Sequence, residues 1–106
     1  MMKRGSLLAA IALLALIASG GGASAADAKE GKRIARIWCV DCHQVGTELR
    51  EGRTAPTFKE ISERIPMSET YMDTWLNNPN PPMHRFRLTS RMVSDIIAYL
   101  KTLQKK

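Results

Sequence analysis

The sequence predicts an all-α domain, and three observations predict it. Between Asp27 and Leu103 the apolar residues recur at spacings of three and four, the period of a helix packed on one face. Ser, Thr or Asp stands at each place where such a helix would begin, and a side-chain oxygen there satisfies the free backbone N–H groups of a first turn. Nowhere do polar and apolar residues alternate as they would along a half-buried strand.

The first 25 residues stand apart from that fold. Lys3 and Arg4 precede an unbroken apolar run over residues 7–18, and small residues follow, ending in Ala23-Ser24-Ala25. A charged start, a short apolar centre and an A-x-A end describe a secretory signal peptide. A membrane-spanning helix wants about 20 apolar residues, so cleavage after Ala25 is the expected outcome rather than a retained anchor. No cysteine lies near that point to carry a lipid. Residues 26–106 remain as one domain. A chain of that size buries too little apolar surface to be comfortably stable alone, and such domains recruit disulfides, metals or partners. The formal net charge of +6 falls to +4 without Lys3 and Arg4. An exported chain with no aromatic and arginine surface motif is not expected to bind nucleic acid.

In chain order, Asp27 caps the first helix, with Glu30 at the position that closes a capping box. Ile34, Ile37 and Trp38 give that helix an apolar face, and Gly31 and Ala35 form a small-residue strip beside it. Residues 44–54 are polar, with Gly46 and Gly52, and read as a loop. Thr57 caps a short helix bearing Phe58, Ile61 and Ile65, which ends before Pro66. Ser68 caps a third, with Tyr71, Met72, Trp75 and Leu76 as its stripe. Pro79, Pro81 and Pro82 then forbid a helix and predict a stiff, extended loop that leads directly to Met83. Thr89 or Ser90 caps the last helix, whose Val93, Ile96, Ile97, Leu100 and Leu103 make the clearest amphipathic pattern in the chain.

The chemistry sits at Cys39-Val40-Asp41-Cys42-His43. C-x-x-C-H is the attachment spacing of a c-type haem: two thiols bond to the vinyl groups of one porphyrin, and the following histidine ligates its iron. A thioredoxin-like dithiol would need alternating strands and helices, which are missing. A zinc site completed by His43 and His84 would need adjacent Cys42 and His43 to share one tetrahedral ion. A disulfide staple would suit an exported domain but leaves the histidine unexplained.

With these residues in view, the mature region resembles the class I c-type cytochromes, small monohaem electron carriers. The resemblance rests on the haem motif, on Gly31 and Ala35 ahead of it, on Pro82-Met83, on Phe86-Arg87-Leu88-Thr89 and on Ala98-Tyr99-Leu100. It implies a cytochrome c fold, three to five helices wrapped around one haem c bound covalently through Cys39 and Cys42. It implies that the backbone oxygen of Pro56 accepts a hydrogen bond from the ring of His43, and that Trp75 lies beside the haem. It implies a carrier rather than an enzyme, monomeric, periplasmic and not inserted in the membrane after cleavage. That carrier would pass single electrons from a redox protein donor to an acceptor.

His43 and Met83 are the expected iron ligands. Met67, Met72, Met92 and His84 are the other candidates. Met72 and Met92 fall on or beside helical stripes and read as packing. His84 stands where many relatives carry proline and is itself able to ligate. A neutral thioether favours ferrous iron and leaves no open position. A haem sensor or gas-binding protein with a displaceable sixth ligand, or a haem subunit of a larger oxidoreductase, would keep the same motif. Lys32, Arg33, Arg85 and Arg87 are expected to frame the haem edge and steer acidic partners.

Overall fold

The computed structural model describes residues 25–48 and 51–105, which form four helices and no strand. These are α1 (Ala28–Trp38), α2 (Phe58–Arg64), α3 (Glu69–Asn77) and α4 (Ser90–Thr102). The all-α expectation holds. The expected signal segment, apart from Ala25, lies outside the described residues. No helix among those described is long and apolar enough to cross a membrane.

Each helix starts where a side chain can satisfy its first N–H groups. Asp27 accepts from the N–H of Lys29 and Glu30, Thr57 from Glu60, Ser68 from Tyr71, and Thr89, not Ser90, from Met92. The capping box expected at α1 is only half made. The Asp27 N–H donates instead to Oδ1 of the buried Asp95 at 2.8 Å, and the Glu30 carboxylate turns outward to Arg33. A buried carboxylate from another helix is a better acceptor than an exposed one on the same turn.

α4 is the platform. It packs against α1 most extensively, and also against α2 and α3, while those three do not pack on one another. Val93, Ile96, Ile97 and Leu100 of α4 are buried, as the amphipathic pattern predicts, Leu103 is half-buried, and Tyr99 is buried as well. At the α1–α4 crossing the buried strip is Gly31, Ile34 and Ala35. A Cβ on Gly31 would lie 1.9 Å from the backbone oxygen of Asp95, so nothing larger than glycine fits. The face predicted through Ile37 and Trp38 needs correcting, since these residues are 59% and 43% exposed. Ile37 falls about 120° around the helix from Gly31. Trp38, on the same side of α1 as Gly31, lines a cavity instead of the helix crossing.

The loop after His43 is pinned at several points. Val45 is buried, its carbonyl accepts from the Tyr99 hydroxyl at 2.5 Å, and the Phe58 N–H donates to Gln44 O at 2.9 Å. Gly52, at φ +82°, turns the chain where a side chain would be strained. The proline-rich segment, expected to be extended, is not extended throughout. The Met83 N–H donates to Asn80 O at 3.2 Å and closes a turn over Pro81–Pro82, whose peptide is cis. Prolines exclude a helix, but they suit a turn equally well.

Candidate functional site

Because α1, α2 and α3 meet only α4, the space between them is not filled by helix-on-helix packing. It forms an apolar cavity that opens to solvent. Ile34, Phe58, Ile61, Met72, Leu76, Ile96 and Leu100 make its walls. The nitrogen and sulfur groups that reach it from outside the helical core are Cys39, His43 and Met83.

The motif reaches the cavity through one turn of chain. Beyond the end of α1, the N–H groups of Cys42 and His43 both donate to the carbonyl of Cys39, at 3.3 and 3.0 Å. In such a turn residues i, i+3 and i+4 fall near one side, but of the three only Cys39 and His43 line the cavity. Cys39 is half-buried, and burial pushes its thiol up to about 11. Cys42 is exposed and lies outside the lining. Nε of Arg53 donates to Val40 O at 3.0 Å and ties the turn to the following loop.

His43 is buried, and its Nδ1 lies 2.6 Å from Pro56 O. A carbonyl only accepts, so Nδ1 must carry the hydrogen. In a neutral ring the other nitrogen then carries the lone pair. The ring stands edge-on to Phe58, centroids 5.7 Å apart, and Phe58 in turn packs on Tyr99 at 6.4 Å. A hydrogen bond on one nitrogen and an aromatic wall beside the ring fix its direction, as metal-ligating histidines require.

Of the sequence-predicted residues, Cys39, His43, Pro56, Trp75 and Met83 come together at this cavity, and His84 does not line it. Met72 also lines it but is a buried helical residue, 3% exposed. Met67 and Met92 pack against the core away from the lining. Trp38 and Phe86, with ring centroids 5.6 Å apart, join the cavity wall from opposite ends of the chain. Sequence reasoning did not assign either one to the site, because their meeting depends on a crossing that no local pattern shows. The four cations expected to frame an edge have different surroundings. Arg33 pairs with Glu30, and Lys32 lines a separate polar cleft beside Arg36 and Tyr99. Arg85 and Arg87 lie on the Met83 loop.

These residues fit a haem. The cavity is apolar, it carries a histidine held at Nδ1 by Pro56 O, and a cysteine and a methionine share its lining. Among the described residues no group of three or more Cys, His, Asp or Glu side chains is placed to hold a bare metal ion, which disfavours a zinc site. Across 93 residues the chain is 32% identical to cytochrome c-552 of Bradyrhizobium diazoefficiens, an overlap of 87% of this chain and 89% of that protein. No family model matches the chain, and no solved structure does.

Proposed function

The chain belongs to the c-type cytochromes, a family of electron carriers, and from that premise we propose the finer reading: an exported, periplasmic monohaem carrier. Its haem c is held covalently by Cys39 and Cys42, and its iron is ligated by His43 and Met83. It takes single electrons from one redox protein and gives them to another, transforming neither. The observation that carries the reading is the meeting of His43, oriented by Pro56, with Cys39 and Met83 on one apolar cavity.

The bound haem supplies a one-electron ferric–ferrous couple. The chain's own residues set the conditions for it. Pro56 fixes the tautomer and direction of His43 and raises the basicity of the ligating nitrogen. The apolar walls, with Met72 and Leu76 among them, exclude water and disfavour extra charge, which favours the less charged ferrous state. A thioether from Met83 does the same. With His43 and Met83 both holding the iron, an outside molecule would find no open position, which would disfavour the sensor and gas-binding reading. Trp75 lines the cavity and would lie beside the haem.

The test is purification of the exported protein, intact and with Cys39→Ala and Cys42→Ala. The proposal expects the natural chain to be shortened at its start, to carry one haem that survives denaturation and acid–acetone extraction, and to titrate as a single one-electron couple. Loss of either cysteine removes one thioether bond, and loss of both leaves an extractable haem or none. A colourless exported protein would overturn it.

A further inference from the structure

The Met83 loop runs from the end of α3 to the cap of α4, and one side chain ties its far end back to its start. Asn77 is the last residue of α3. Its carboxamide oxygen accepts the N–H of Leu88 at 2.8 Å. Its amide nitrogen donates to Asp73 Oδ1 at 2.7 Å and to Leu88 O at 3.4 Å. Leu88 is thus held at both backbone groups across eleven residues, while its side chain lines the haem cavity along with Met83 and Phe86. Arg85 adds a second tie: its guanidinium donates to Asn77 O at 3.1 Å and to Asn78 Oδ1 at 3.2 Å. A cation at the negative end of α3 is also favoured by the helix dipole.

Only an amide satisfies this arrangement. The group must accept from Leu88 N–H and donate to Asp73 at once. An aspartate accepts but cannot donate, and it would face the Asp73 carboxylate directly. An alanine does neither. The neighbouring Asn80 makes no side-chain hydrogen bond among the described residues, although its backbone oxygen closes the turn before Met83.

We propose that Asn77 is a positioning residue for the Met83 loop, holding Leu88 so that the loop stays closed against the cavity. The inference rests on the reading of Met83 as a ligand for one of its two readouts. The clamp faces an open cleft, so each bond is worth the lower part of the usual range. Losing both bonds to Leu88 then raises the open-loop population about tenfold. An outside ligand that binds only the open form gains apparent affinity by the same factor.

The experiment uses the ferric holoprotein and imidazole as the probe, with amide exchange at Leu88 followed in parallel. Asn77→Ala is expected to bind imidazole about tenfold more tightly and to exchange the Leu88 N–H faster by a similar factor. Its haem attachment and helical circular dichroism should match the wild type. Asn77→Asp, which keeps one acceptor and serves if the alanine variant fails to fold, should shift both readouts the same way. Asn80→Ala should shift neither. Wild-type values in both Asn77 variants, or an equal shift in Asn80→Ala, would overturn the proposal. If the wild type already binds imidazole tightly and shows no thioether band, the Met83 reading fails. Leu88 exchange then decides the clamp by itself: faster exchange in the Asn77 variants supports it, and unchanged exchange rejects it.

Discussion

The two sides of the cavity are held by different physics. On the His43 side, α1 and α4 cross so closely that Gly31 touches the backbone of Asp95, and Ile34, Ala35, Val93 and Ile96 bury the seam. On the Met83 side, a loop without regular structure is held by side-chain hydrogen bonds from Asn77 and Arg85 at a surface cleft. The first is a packed joint that either forms or does not. The second is a polar latch whose failure opens one loop without unfolding the rest. A carrier of the proposed kind needs both: a firmly packed His43 side, and a Met83 side stable enough to keep its loop closed. The difference also means that substitutions on the two sides should fail in different ways.

The largest effect is expected at the crossing. Gly31→Val would gain helix propensity but must displace backbone, and overpacking at a rigid contact costs about 3 kcal/mol or more. Denaturant unfolding of the holoprotein should show most of its stability gone. A variant as stable as the wild type would mean that α1 can slide, and the packed-joint picture would be wrong.

Next comes Tyr99→Phe. The hydroxyl it removes leaves the carbonyl of buried Val45 without its donor, a loss of about 1–3 kcal/mol. Burial also raises the Tyr99 phenol, with Arg36 nearby pulling the other way. A raised folded-state value means that this contribution is intact below the unfolded phenol's value of about 10, and is lost as pH rises past it through the folded value. The wild type should therefore lose stability above about pH 10 more steeply than Tyr99→Phe. Parallel curves would contradict this.

A smaller loss separates cap from clamp. Thr89→Ala removes the acceptor for the Met92 N–H and should cost about 1 kcal/mol of global stability, with imidazole affinity unchanged. Asn77→Ala should move the latch instead. The smallest effect belongs to the surface: Arg33→Ala breaks an exposed pair with Glu30 and should leave the denaturation midpoint where it was.

How much of this could be read from the chain follows the same division. The α4 stripe, the four caps and the cysteine–histidine spacing were legible because each is a local pattern with one physical meaning. So was the closeness at Gly31, since two small residues four apart on a helix leave room for another backbone. The apolar side of α1 was drawn through Ile37, which is exposed, because periodicity marks an apolar side but not where a crossing helix ends. The polar residues were the least legible. Asn77, Arg53 and Asp95 look like ordinary surface or capping residues, and their work is with backbone groups 11, 13 and 68 positions away. The proline run forbade a helix correctly, yet its composition did not distinguish an extended segment from a turn.

The central claim is that side chains of this chain occupy both faces of the iron, His43 on one and Met83 on the other. Carbon monoxide binding to the reduced holoprotein tests it most directly, with the wild type beside Met83→Ala and, as control for the other cavity methionine, Met72→Leu. The account predicts a wild type and a Met72→Leu variant that stay unliganded at neutral pH, and a Met83→Ala variant that binds carbon monoxide readily. Ready binding by the wild type, or a Met83→Ala protein as closed as its parent, would contradict it.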